Sequence, residues 1–217
     1  MLDLLAFKAT NVTAENIVQG GNFQDNYSKH WDTIGGTARN ENGVVTVTSR
    51  EGATFTTVRP NIAGEANVDR DDEIYFSIIV KNHDDTRMFR VYAFENQSGK
   101  NSESFATLEY GKFQKISGTL KATNSQEKLG LGFQFRYNST EGTKDSECKF
   151  FMGINLTKTF GRGNEPTVEQ MDMLLEQFPD SWFDGTKNLF NAKEFMNMYH
   201  KKMKELDNAI TALGGGS

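Results

Sequence analysis

Through most of residues 20–155 apolar and polar side chains alternate at a period of two, and from Thr167 onward the apolar ones recur at three and four, so the pattern predicts a β domain joined to helices. Seven segments carry the alternation together with β-branched and aromatic residues: VVTVTS from Val44, ATFTTV from Ala53, EIYFSIIV from Glu73, RMFRVYAFE from Arg87, FQKISGTLKA from Phe113, LGLGFQFRY from Leu129 and CKFFMGINL from Cys148. Between them lie ENG, NHDD, NQSGKN, ATNSQE and NSTEG, residues that accept tight turns or left-handed backbone. Strands punctuated in this way, with no helical period before Thr167, predict a mainly β, antiparallel sandwich. Residues 1–19 show no clear period and read as an N-terminal arm or edge strand.

Alternation also assigns faces, because successive strand side chains point to opposite sides. Leu129, Leu131, Phe133, Phe135 and Tyr137 form one core set, Phe89, Val91 and Ala93 a second, and Ile74, Phe76, Ile78 and Val80 a third. With these strands as neighbours, Tyr75, Arg90, Tyr92, Gln134 and Arg136 share an outward polar-aromatic surface. That is the chemistry a sugar needs: a flat ring for its C–H face and forked donors and acceptors for its hydroxyls. The alternative is an ordinary solvated sheet face, which routinely carries Tyr and Arg.

Residues 163–187 form the junction. Thr167 with Gln170 three places on has the form of a capping box, so a helix is expected to start there. Val168, Met171, Leu174, Leu175 and Phe178 then fall on one stripe, and Pro179 stops the run. Trp182, Phe183 and Gly185 follow, read as an aromatic plug that packs this helix onto the sheet. Beyond it, residues 188–213 predict a coiled-coil helix: Leu189, Met196, Met203 and Ile210 at a, and Ala192, Tyr199, Leu206 and Leu213 at d. The oligomerisation residues are therefore Leu189, Met196, Tyr199, Met203, Leu206, Ile210 and Leu213, with a homotrimer expected and a single helix folded back on its own sandwich as the alternative. Residues 214–217, GGGS, read as a linker or cloning scar.

The wording FGRGNEPTVEQM at residues 160–171, followed by FPDSWFDGT at 178–186, resembles a segment of carbohydrate-binding-module-like β-sandwich domains in tail and baseplate proteins of phages and prophages of Gram-positive bacteria. GGNFQDNYSKHW at residues 20–31 is similar to the opening of such domains, which places the sandwich at residues 20–162. The resemblance implies a jelly-roll sandwich that binds host cell-surface glycan or simply builds the virion, with other virion proteins as partners. It also implies trimeric appendages, and a structural calcium for which Asn22 and Asp25 are the positions to inspect. The chain departs from glycan-binding members in its tryptophans, which are only Trp31 and Trp182.

Composition narrows the rest. The length of 217 residues suits one sandwich plus an appendage, and 17 Phe and 6 Tyr suit a β core. A net charge of -5 with no Lys/Arg cluster speaks against nucleic acid, and a mean hydropathy of -0.60 with no long apolar run against membrane insertion. MLDLLAFK lacks the form of a secretory signal, so synthesis in the bacterial host cytoplasm and residence in the virion are expected. The single Cys148 allows no intrachain disulfide and reads as an inert, half-buried thiol. No nucleophile elbow, zincin or P-loop motif is present, so neither enzyme activity nor a cofactor is expected. The function expected is that of a non-enzymatic phage tail, baseplate or fibre protein that binds host glycan, the alternative being a structural spacer or docking protein without glycan binding.

Overall fold

The alternating segments resolve, in a computed structural model of the chain, into two antiparallel sheets laid face to face. The structure describes residues 12–24, 27–61, 66–83, 85–95, 98–105, 109–123 and 126–189, together with Lys201, Lys204, Glu205, Asn208 and Thr211. The chain begins with β1 (Thr13–Glu15), a helical turn α1 (Tyr27–His30), β2 (Trp31–Ile34) and β3 (Gly36–Glu41). It continues through β4 (Val44–Ser49), β5 (Phe55–Pro60), β6 (Ala66–Val68), β7 (Glu73–Lys81) and β8 (Thr86–Glu95). Then come β9 (Ser98–Phe105), β10 (Gln114–Lys121), β11 (Gln126–Tyr137) and β12 (Asp145–Asn155). The last elements are α2 (Leu156–Phe160), α3 (Val168–Leu175), a 3-10 turn Pro179–Ser181 and β13 (Thr186–Asn188).

One sheet has the order β10-β7-β12-β4-β3 and the other β2-β5-β11-β8-β9, with β6 also paired to β11. The inward-facing residues of both interlock in one core that includes Ile74, Phe76, Ile78 and Val80 from β7, Phe89 and Val91 from β8, and Leu129 to Tyr137 at alternate positions of β11. All seven segments read as strands from their alternation are strands, and all three core sets are buried. Cys148 lies wholly inside rather than half-buried, and burial pushes its thiol well above the usual value. In β12 the register shifts between Lys149 and Met152, and Phe150 takes a φ of 54°. This bulge sends Phe151 into the sandwich and leaves Phe150 against Trp182, with ring centroids 6.1 Å apart.

A second core lies on the opposite side of the sheet that contains β7. Tyr75, Met152 and Ile154 project there and are covered by Met171, Leu174 and Leu175 of α3 and by Phe183. The helix begins as its sequence predicts: Thr167 Oγ1 accepts from the Gln170 amide at 3.3 Å, and Gln170 Oε1 accepts from the Thr167 amide at 2.8 Å. The aromatic plug is likewise packing, since Trp182 Nε1 donates to the Phe151 carbonyl at 3.1 Å. Asp172 of α3 pins the helix to both strands below, accepting from Tyr75 Oη at 2.6 Å, Ser117 Oγ at 2.8 Å and Lys115 Nζ at 2.8 Å.

The segment read as an arm or edge strand supplies a strand, and Leu189 departs from the expected start of the coiled coil. Part of the predicted arm belongs to the fold: β1 pairs antiparallel with β13, Ala14 is in the second core, and Asn16 Nδ2 donates to the Phe183 carbonyl at 2.9 Å. Leu189, expected at the first a position of the coiled coil, follows β13 and is only 2% exposed, packed in the second core. Its amide donates to the Val12 carbonyl at 2.8 Å, so the apolar side chain that fitted the heptad series serves to close the small sheet instead. Met196, Tyr199, Met203, Leu206, Ile210 and Leu213 lie outside the described residues. Lys201, Lys204, Glu205, Asn208 and Thr211, which occupy positions b, c and f of that series, are helical and exposed.

Candidate functional site

The outward face of the second sheet collects four of the five residues selected from the alternation. β8 and β11 are hydrogen-bonded neighbours in a register that sets Arg90 opposite Gln134 and Tyr92 opposite Gly132. Since directly opposed residues point the same way, Arg90, Tyr92, Gln134 and Arg136 share one surface. Three of them are joined to one another and to β5: Arg90 Nη1 donates to Tyr92 Oη at 3.4 Å, Tyr92 Oη to Gln134 Oε1 at 3.1 Å, and Gln134 Nε2 to Thr57 Oγ1 on β5 at 2.8 Å. Each of these side chains is half-buried apart from Thr57, which is buried. Gly132 makes the arrangement fit, because a Cβ there would collide with the Phe94 ring and the Val58 carbonyl. Phe94 therefore lies down over the strand, its centroid 5.8 Å from that of Tyr92.

The sheet register also extends this surface beyond the residues found by alternation in β8 and β11. Phe55 stands opposite Arg136, and Ile34 opposite Thr57. Both are among the exposed large apolar residues, at 37% and 39%. At the far side Arg59 holds Asp32 through Nε at 3.1 Å and Nη2 at 2.9 Å, both to Oδ2. The alternation of FTTV in β5 contained the signal for Phe55 and Thr57. That β5 lies beside β11 is a long-range fact that periodicity does not carry.

Tyr75 does not belong to this surface. It lies on β7 in the other sheet, is 0% exposed beneath α3, and its hydroxyl is bound to Asp172. Burial first, and then the Asp172 carboxylate beside it, push the Tyr75 phenol far above its ordinary value. For the calcium positions, Asn22 Oδ1 accepts from the Gln24 amide at 3.2 Å in a local turn, and Asp25 lies outside the described residues. Among the described residues no group of three or more His, Cys, Asp and Glu side chains is arranged to hold a metal ion.

A groove of about 440 Å³ lies elsewhere, between β1, β6 and α2, lined by Asn16, Asn67, Asn155 and Lys158 among others. Its polar groups are engaged by the fold itself: Asn155 Nδ2 donates to Asp72 Oδ2 at 2.8 Å, Asn155 Oδ1 accepts from the Lys158 amide at 3.0 Å, and Lys158 Nζ donates to the Asn67 carbonyl at 2.6 Å. This groove is a seam between the two cores.

No protein-family model and no curated protein matches the chain. Among solved structures it is similar in fold to an arabinose-bound GH51 α-L-arabinofuranosidase, with a TM-score of 0.51 and 12% identity over 77% of this chain and 30% of that enzyme. A CBM4 module is similar with a TM-score of 0.45 and 9% identity, over 58% of this chain and 94% of the module. The CBM22-1–GH10 part of the Clostridium thermocellum xylanase 10B, solved with xylohexaose, has a TM-score of 0.45 and 14% identity over 76% of this chain and 32% of that one. At these identities the likeness is one of fold.

Proposed function

We propose that the chain is a non-catalytic glycan-binding module whose ligand lies across the outer face of β2, β5, β11, β8 and β9. The observation that carries this reading is the connected set Arg90, Tyr92, Gln134 and Thr57, set between the exposed Phe55 and the apolar Phe94. A phenol ring and apolar neighbours suit the C–H face of a pyranose, while Arg and Gln offer donors and an acceptor to its hydroxyls. Because the polar groups already hold one another, little side-chain freedom is lost when a ligand arrives. Binding rather than hydrolysis is supported by the acids: among the described outward side chains of these strands Asp32 is the carboxylate, and Arg59 holds it, whereas glycosidases use a facing pair.

In this reading the module sits on a phage tail or baseplate and is trimerised by the helix that follows Leu189, which multiplies a weak sugar affinity by linking sites. The support is the wording of residues 160–186 and the heptad spacing from Met196 to Leu213. A pull-down on Gram-positive cell walls and a glycan array test it. The parent is expected to be retained, and Tyr92→Ala with Arg136→Ala to bind at least about tenfold more weakly with an unchanged melting temperature. Equal retention of the double variant removes this face as the site.

A second reading, a structural virion spacer, is favoured by one observation. Both tryptophans are committed to packing, Trp31 inside the sandwich and Trp182 over the bulge at Phe150. Absence of retention on every wall and glycan would decide for it.

A further inference from the structure

The geometry points to an acidic glycan, one carrying anionic oxygens, as the ligand of the outer face of β8 and β11, read by Arg90 and Arg136. This inference rests on the binding reading above and adds the charge of the ligand. Among the described residues of the face, Arg59, Arg90 and Arg136 are cations, and of these Arg59 alone has a carboxylate partner. Arg59 has Asp32, with two of its donor nitrogens on one carboxylate oxygen. Arg90 has no carboxylate among the described residues: its Nε donates to the Met88 thioether at 3.0 Å and its Nη1 to a neutral phenol. A thioether is a weak acceptor, an unusual partner for a half-buried guanidinium. Arg136 is less satisfied still, with Nε buried and without a hydrogen-bond partner among the described residues.

Among the described residues the register neighbours do not supply the missing charge. The residues opposed to these two arginines are Ser104 and Gln134 for Arg90, and Met88 and Phe55 for Arg136. None is acidic, although the chain as a whole has 29 Asp and Glu against 24 Lys and Arg. A random outer face of so acidic a protein would be expected to place carboxylates beside its cations, as the other sheet does with Lys81 and Glu147 at 2.8 Å. Gln134 separates the two arginines along the register, so they are diagonal neighbours. That order lets a glycan chain laid over Tyr92 pass Arg90 and then Arg136, each forked guanidinium matched to a planar carboxylate or to two phosphate oxygens of successive units.

The source of the anionic oxygen is either a uronate carboxylate or a phosphodiester between sugar or polyol units, and the test separates them. Affinity electrophoresis of the full chain would use polygalacturonate, the same polymer fully methyl-esterified, poly(glycerol phosphate) and neutral xylan. Retardation by polygalacturonate or by poly(glycerol phosphate) is expected, at least about tenfold stronger than by the methyl ester or xylan, and weakening as salt rises. Whichever polyanion retards the chain identifies the source. Arg90→Gln with Arg136→Gln should lose about tenfold on the polyanion. Arg136→Lys, which keeps the charge and loses the fork, should recover part of it.

Equal binding of xylan and the methyl ester, lost in Tyr92→Ala but kept in the double Gln variant, overturns the acidic ligand while leaving the glycan-binding reading intact. Absence of retardation by any of the four polymers overturns both. If the double Gln variant does not fold, the comparison of polygalacturonate with its methyl ester on the unaltered chain still decides.

Discussion

Arg162, in the loop after α2, places Nη2 3.1 Å from Oδ1 of Asp72, whose side chain is only 3% exposed. The same Nη2 donates to the Arg70 carbonyl at 3.3 Å, and Nη1 donates to the Asp71 carbonyl at 3.3 Å. Asp72 in turn accepts from the Asp69 amide at 2.9 Å and from Asn155 Nδ2 at 2.8 Å. The arginine of FGRGN thus ties the turn before β7 to the end of β12, and the segment is a clasp beside the second core rather than part of the outer face of β8 and β11. Removing the acid leaves the buried Asn155 amide and the part-buried Asp69 N–H unpaired, whereas removing the 58% exposed arginine leaves Asp72 with two of its donors. Asp72→Ala is expected to cost about 3 kcal/mol and Arg162→Ala about 1 kcal/mol, read by urea denaturation. Equal costs would refute the assignment of Asp72 as the centre of the clasp.

The sandwich core should respond to cavities. Phe135 is fully buried, with its ring centroid 5.1 Å from Phe89 and 6.0 Å from Phe133. Phe135→Ala and Phe133→Ala are each expected to lower stability by about 3–5 kcal/mol. A melting transition like the parent's in either variant would show that the inner face is misassigned.

Glu165 makes the clasp sensitive to acid. Burial pulls its carboxyl upward, but hydrogen bonds from Thr157 Oγ1 and the Gly163 amide, with the Arg162 cation nearby, outweigh this and hold it below the usual carboxylate value. A depressed folded value means that the stabilisation is present above the unfolded value and is lost as pH falls through the folded one. Glu103, raised by burial, works in the opposite sense, so the reading is the difference between parent and Glu165→Gln. The parent's advantage in melting temperature should shrink on acidification below the ordinary carboxylate range. A difference that does not change with pH would exclude this role.

Cys148 supplies a probe of opening. It is wholly buried and its thiol is pushed upward by burial, so alkylation by iodoacetamide at neutral pH should proceed only as fast as the sandwich opens. Modification at the rate of a free thiol in the native protein would contradict the core placement.

Oligomerisation is tested in the full chain by placing Asp at both Leu206 and Ile210, where carboxylates in a coiled-coil seam would be desolvated without partners. Light scattering should show a trimer for the parent and a monomer for the variant, with the β domain's melting transition retained. A parent that is monomeric at micromolar concentration removes the coiled coil. Because Leu189 belongs to the second core, any truncation that tests the same point must end beyond it.

Local pattern alone determined β4, β5, β7, β8, β10, β11 and β12, the inner faces of β7, β8 and β11, and the start of α3, because alternation and capping depend on residues a few positions apart. It also brought Arg90, Tyr92, Gln134 and Arg136 to notice, since each alternates with core residues along its own strand. Which strands become neighbours was decided only by the tertiary structure. Tyr75 alternates like Tyr92 but lies in the other sheet, and its outward face is sealed by α3 packing over Met152 and Ile154. Leu189 fits a heptad by spacing, yet the pairing of β1 with β13 across the whole chain draws it into a core. Strand order and the closing of a second core rest on contacts between residues far apart in sequence, and no short-range period records them.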